Sequence, residues 1–308
     1  MKGLDISERY FREYGAPMIE QRFGDYRERI AAGLVGEGSE CYGFDDEISR
    51  DHDWGPGFCL WLNKEDYLTI GAYLKGELDE IPAEFEGFGP REVTEWGGGR
   101  IGVFEIGEFY KRYTGFDHVP ANIREWRSIP EVNLATCTNG KVFTDPLGEF
   151  TRFREGLKGF YPEEVRLKKI ASRCMSIAQL GQYNFMRCIQ RKEFVAARYV
   201  EAQFSAHVIS LVFLLNRRYT PFYKWMHRAM KELPVLGELV HKLLSDIAIG
   251  YGPGKKNQLM GEICALVIDE FRIEGLSDSP SGFLLDHAPV IQSKIRDDEL
   301  RNADIRME

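Results

Sequence analysis

Two short apolar runs, Ala31-Ala32-Gly33-Leu34-Val35 and Phe58-Cys59-Leu60-Trp61-Leu62, bracket a polar stretch, GEGSECYGFDDEISRDHD, over Gly36 to Asp53. Short apolar runs bounded by turn-forming residues read as buried strands, here neighbours joined by a loop with a carboxylate pair. Ahead of them Tyr10, Phe11, Tyr14, Met18, Ile19 and Phe23 return at helical spacing, which predicts a helix over 6–30 capped by Ser7. After the second run, Asn63 caps a predicted helix from Lys64 to about Leu78, with Tyr67, Leu68, Ile70, Tyr73 and Leu74 as its apolar set. Residues 79–100, rich in Gly, Pro and Glu, read as a surface connection, and Arg100 to Ile106 as a strand leading into a helix over 107–114. Strand, helix, strand in that order matches a small mixed sheet with helices on one side. Residues 116–135 read as irregular, and Asn139-Gly140 within 138–145 predicts a hairpin.

From Pro162 the pattern changes to helical periodicity, over 162–181, 184–190, 193–216, 220–232, 234–249, 256–274 and 286–303. Pro162 and Pro234 sit at helix starts, where a missing N–H costs nothing. The fold class that follows is α+β: a small mixed β-sheet domain over 1–150, then an α-helical bundle over 151–308. At 308 residues, one large or two medium domains can bury a core. A net charge of −8 argues against a general nucleic-acid binder, whose phosphate contacts need a positive face. The six cysteines are scattered without metal-ligand spacing, and no signal peptide is visible, which predicts reduced thiols and a cytoplasmic setting. No apolar run approaches the roughly 20 residues a membrane span needs.

Chemistry concentrates in the loop between the first two strands. Gly38 and Ser39 can bring backbone N–H groups close to a phosphate, because glycine holds nothing off. If residues 51–53 are extended, Asp51 and Asp53 leave the same face and His52 the other. Two such carboxylates repel unless a cation lies between them, and hard oxygen donors suit Mg²⁺. The bland alternative is a solvated acidic turn, or partners for Arg50, since Asp45-Asp46-Glu47 already makes the region acidic.

The combination Val35-Gly36-Glu37-Gly38-Ser39, a spacer over 40–50, then Asp51-His52-Asp53, resembles the nucleotidyltransferase superfamily of DNA polymerase beta, the CCA-adding enzymes and kanamycin nucleotidyltransferase. The wider wording, with Leu215-Asn216-Arg217-Arg218-Tyr219 and Tyr223-Lys224-Trp225, resembles a bacterial subfamily named domain of unknown function 4037. His52 departs from the pattern, which usually has an apolar residue there. The resemblance implies transfer of a nucleoside monophosphate from ATP or another nucleoside triphosphate to a hydroxyl acceptor, a small molecule or a protein, with release of pyrophosphate. Asp51 and Asp53 would hold two Mg²⁺ ions and Gly38 and Ser39 the phosphates. Glu105 is the candidate third carboxylate, with Glu108 its neighbour and competitor; a solvent-facing residue or helix-start charge is the other reading of Glu105. Arg50 and Lys224, the latter at a helix junction with Arg217, Arg218, Tyr219 and Tyr223, are candidates for the phosphates or base. The competing class is a non-catalytic nucleotide- or partner-binding module that keeps the fold. His52, His118, His207, His227, His241 and His287 are isolated, no Gly-x-Ser-x-Gly occurs, and Gly97-Gly98-Gly99 opens no helix pattern.

Overall fold

The structure, a computed structural model, describes residues 1–91 and 98–307. The Gly97 part of the three-glycine turn and the 92–97 part of the 79–100 connection lie outside the described residues. The described chain divides into two compact units, residues 1–121 with 133–159, and residues 122–132 with 160–308.

The first unit opens with α1 (Gly3–Tyr10) and α2 (Ala16–Arg22), joined by a π-helical turn over Phe11–Gly15. Pro17 has no N–H to continue the ladder, and the widened turn absorbs that loss inside a segment the periodicity predicts as one helix. Ser7 is not the cap. It lies buried within α1, and Lys2 takes the N-cap position. A 3₁₀ stretch, Gly24–Arg29, leads to β1 (Ala31–Leu34). After the long loop come β2 (Cys59–Leu62), α3 (Lys64–Asp79), β3 (Gly102–Glu105) and α4 (Ile106–Thr114). The Asn63 side chain accepts from the Asp66 N–H, the capping bond expected of it. Where an irregular connection was expected, residues 123–137 hold α5 (Ile123–Ser128), which belongs to the second unit, and α6 (Glu131–Cys137), most of which belongs to the first. β4 (Lys141–Thr144) and α7 (Glu149–Lys158) complete the unit.

The sheet runs β3-β2-β1-β4, with β1 antiparallel to β2 and β4, and β2 parallel to β3. Helix α3 supplies the crossover that a parallel pair requires. Residues 138–145 therefore form no hairpin: β4 pairs with β1 alone, as the edge strand. Both faces of the sheet are covered, not one. Ala32, Leu60 and Leu62 pack with Ile6, Tyr10, Phe11, Ile70 and Leu74 from α1 and α3. Trp61, pointing the opposite way along the pleat, stacks on Phe150 of α7 at 3.8 Å and meets Phe109 of α4 edge-on at 5.4 Å.

The second unit is helical: α8 (Glu163–Ile177), a π-helical turn, α9 (Phe185–Gln190), α10 (Phe194–Leu215), α11 (Tyr223–Met230), α12 (Gly237–Ala248), α13 (Pro253–Ile273), α14 (Ala288–Ser293) and α15 (Asp298–Asn302). Its core is apolar along α10, where Val208 to Leu215 is buried without a break. Among the described residues no helix is long and apolar enough to cross a membrane.

Candidate functional site

The loop over 36–57 leaves the C-terminal end of β1 and enters the N-terminal end of β2, so it sits at one end of the sheet. Asn139 holds its start. The Gly36 N–H donates to the Asn139 side-chain oxygen at 3.0 Å, and the Asn139 amide donates back to the Gly36 carbonyl at 2.8 Å. Gly140 has φ +62 and a Cβ there would lie 2.0 Å from the Leu34 carbonyl oxygen, so the Asn-Gly pair serves a close backbone approach to β1.

Gly38 has φ +120, and a Cβ on it would meet the Glu40 carboxylate at 2.5 Å. Ser39 is helical in backbone and opens the 3₁₀ turn Glu40–Tyr42, its carbonyl accepting from the Tyr42 and Phe44 N–H groups. Beneath it Glu40 is buried and ion-paired to Arg91 at 3.0 Å. The Arg91 guanidinium also donates to the carbonyls of Asp53 at 3.0 Å and Gly55 at 3.1 Å, so one side chain ties both halves of the loop. Asp45, also buried, accepts from the Gly3 N–H at 2.7 Å and the Trp54 indole N–H at 3.2 Å, with Lys2 3.5 Å away.

The acidic pair is not extended. Residues 51–53 form bends; Asp51 is α-helical in backbone and Asp53 has φ +52. The two carboxylates consequently do not share a face. Asp51 is exposed, 2.8 Å from the His52 Nδ1, whereas Asp53 is 5 % exposed and lies 3.4 Å from the Arg100 guanidinium. Arg50 stacks over Trp54 at 4.8 Å and Phe88 at 5.7 Å and donates to the Met1 carbonyl.

Glu105 lies elsewhere. β3 is parallel to β2 with Gly102 opposite Cys59 and Glu105 opposite Leu62, so Glu105 is about 10 Å along the strands from the loop end. Its carboxylate caps α4, accepting from the Gly107 N–H at 2.9 Å and the Glu108 N–H at 2.6 Å. The expectation of a third carboxylate beside Asp51 and Asp53 is corrected accordingly: the strand ends where the helix begins, and the cap claims the side chain. Glu105→Ala is expected to cost about 1 kcal/mol in denaturant unfolding, the worth of one N-cap. Glu108 is exposed and pairs with Lys111. Lys224 belongs to the helical unit, on α11, exposed, with its ammonium 5.0 Å from the Trp225 ring centre.

Several site residues carry no motif and escape a linear reading. Helix α4 returns toward the loop end and brings Arg112 and Tyr113 onto Glu37: the Tyr113 hydroxyl donates at 2.7 Å and the Arg112 guanidinium at 2.8 Å. Arg112 also donates to the Gly99 carbonyl. Burial alone would raise the Glu37 carboxyl, but these two donors outweigh it and hold it below its ordinary 4.5. A depressed folded value means the stabilisation is complete above the ordinary carboxylate range and is lost as pH falls through the folded value. Glu37→Gln is therefore expected to lower stability at pH 7 and to flatten the acid limb of a stability-against-pH profile, the difference from the wild type closing as pH falls below about 4.5. Burial pushes the Cys59 thiol up to about 12, which removes it as a nucleophile at neutral pH.

Residues 126–226 match the model of a family described as a domain of unknown function (DUF4037). No curated protein matches the chain. Among solved structures, the chain is similar to the crystal structure of a nucleotidyltransferase-like protein from Exiguobacterium sibiricum 255-15, at 12 % identity and a TM-score of 0.35, over 89 % of this chain and 81 % of that one.

Proposed function

We propose that the first unit is a Mg²⁺-dependent nucleotidyltransferase domain, taking ATP or another nucleoside triphosphate and a hydroxyl acceptor, small molecule or protein. The observation that carries the reading is the joining of a Gly-Ser turn and an Asp-x-Asp pair on the one loop between antiparallel β1 and β2. Gly38 and Ser39 present backbone N–H groups, free of a Cβ at Gly38, to the terminal phosphates. Asp51 and Asp53 supply hard oxygen donors. No group of three or more His, Cys, Asp or Glu side chains placed to hold a metal occurs among the described residues. Mg²⁺ is commonly held by one or two carboxylates, with water and substrate phosphates completing the shell. When bound, the ions neutralise charge on the triphosphate and stabilise the leaving pyrophosphate. The acceptor oxygen forms a bond to the α-phosphorus, the bond to the β-phosphate bridging oxygen breaks, and Asp51, the solvent-facing member of the pair, accepts the hydroxyl proton. Glu105 is not part of this set.

A second reading, a non-catalytic nucleotide- or partner-binding module, is favoured by the pairing of Asp53 with Arg100 and by the capping role of Glu105. A screen for Mg²⁺-dependent pyrophosphate release separates the two, with ATP, GTP, CTP and UTP each set against polycationic sugars and protein hydroxyls, and ATP binding measured in parallel. Release that disappears in the Asp51→Asn, Asp53→Asn double variant supports transfer. Binding without release for every pair favours the second reading, and release undiminished in the double variant removes the site.

A further inference from the structure

Arg154, on α7, is 8 % exposed, and the acceptors of its buried guanidinium are two neutral carbonyls. Its Nη2 donates to the carbonyl of Thr138 at 2.8 Å and to that of Gly140 at 3.2 Å, while Nη1 is buried without a hydrogen-bond partner among the described residues. The neighbouring carboxylate, Glu155, pairs with Lys158 instead. Burial depresses the affinity of Arg154 for its proton. A cation taken out of water to meet neutral acceptors costs stability. What it fixes in return is the backbone on both sides of Asn139, because Thr138 and Gly140 flank that residue and one planar fork holds both. The Asn139 side chain so held accepts from the Gly36 N–H at 3.0 Å and donates to the Gly36 carbonyl at 2.8 Å.

The same segment fastens the far end of the turn. The Gly140 N–H donates to the Cys41 carbonyl at 2.8 Å. The Tyr42 hydroxyl lies 3.1 Å from the Thr136 hydroxyl and within hydrogen-bonding reach of the Asn139 side chain. Anchored at Gly36 and again at Cys41 and Tyr42, the chain carries Gly38 and Ser39 between its two anchors. We propose that Arg154, acting through Asn139, is the positioning residue of the Gly38-Ser39 turn and sets its shape before a nucleoside triphosphate arrives. The inference rests on the reading of that turn as the cradle of the triphosphate. Arg154 acts on the population of the turn and touches no substrate atom. A turn free to move offers the nucleotide only the fraction of molecules that hold the competent shape, so apparent affinity falls by that fraction while turnover at saturation is nearly kept. A turn already held needs no ordering when the phosphates bind.

The test compares Arg154→Met, Arg154→Lys, Asn139→Ala and the Arg154→Met, Asn139→Ala double variant of the full chain. Amide hydrogen exchange is followed without ligand, and ATP binding and Mg²⁺-dependent pyrophosphate release under the conditions of the screen above. In Arg154→Met and in Asn139→Ala, exchange across residues 36–44 is expected to rise at least about tenfold while β2 and α3 keep wild-type exchange. KM for ATP is expected to rise about tenfold with kcat within about twofold, the reverse of Asp53→Asn, which loses kcat. A lysine ammonium meets one of the two carbonyls and lacks the fork, so Arg154→Lys is expected to fall between the wild type and Arg154→Met on each readout. Because Arg154 acts through Asn139, the double variant is expected to shift KM no further than Asn139→Ala alone, whereas two separate structural losses add. Should Arg154→Met not fold, Arg154→Lys replaces it in the comparison, and Asn139→Ala leaves the buried guanidinium and its two carbonyls in place. A wild type that releases no pyrophosphate from any triphosphate removes the transfer reading but not the clamp, which exchange and calorimetric ATP affinity then decide. Wild-type exchange across 36–44 in both single variants, or KM shifts that add in the double variant, overturns the inference even where Asp53→Asn abolishes release.

Discussion

Arg91→Met is expected to lower the unfolding free energy by about 3–5 kcal/mol, read as a fall in the urea midpoint with the slope unchanged. Both side chains of the Arg91–Glu40 pair are almost fully buried, at 4 % and 2 % exposure. Methionine removes the charge and leaves the Glu40 carboxylate without its partner in a place where water does not reach it. The substitution also orphans the carbonyls of Asp53 and Gly55, the two points at which Arg91 holds the far half of the loop. The coupling has a sign of its own. Glu40→Gln in the Arg91→Met background removes the stranded charge, and the double variant is expected to regain a large part of the loss. A single variant within about 0.5 kcal/mol of the wild type would mean that the pair, and with it the tether on the Gly-Ser turn, contributes nothing.

Arg91 is also where a reading along the chain reaches its limit. It falls in the 79–100 stretch, whose Gly, Pro and Glu content signals a surface connection. Composition reports the average environment of a segment, and one inward-turned guanidinium does not alter it. Arg100, Arg112 and Tyr113 escape for a related reason: they meet Asp53 and Glu37 only after α3 and α4 have carried the chain back to the loop end of the sheet. Local signals fared better. The apolar runs around residues 31–35 and 58–62 are β1 and β2, and Asn63 caps α3, because burial on both faces and a capping bond leave marks within a few residues. Asn139-Gly140 shows a local signal with the right chemistry and the wrong context. The glycine does need its positive φ, but for the approach to Leu34, and the asparagine amide is spent on Gly36. Glu105 fails at the same level, since an acidic residue at the end of a strand is also an acidic residue at the start of a helix.

Asp53→Asn is expected to reduce pyrophosphate release by about 10³-fold or more, roughly 4 kcal/mol of lost transition-state stabilisation, with the fold retained. Asparagine keeps the shape and one acceptor oxygen, so the position at φ +52 and the hydrogen-bonding volume survive. What goes is the negative charge, which Arg100 and a bound cation would both seek. That competition makes Arg100→Gln the informative partner. Arg100 is 22 % exposed and lies 3.4 Å from the Asp53 carboxylate, so its charge lowers the attraction of that carboxylate for a second cation. If Asp53 holds Mg²⁺, Arg100→Gln should tighten Mg²⁺ binding, seen by calorimetry with ATP present, while Asp53→Asn should weaken it. If Asp53 serves only as the counter-ion of Arg100, both variants lose modest stability and neither moves the Mg²⁺ affinity. Opposite shifts in the two variants are thus a signature that a structural ion pair cannot produce, and their absence would return the loop to the non-catalytic reading.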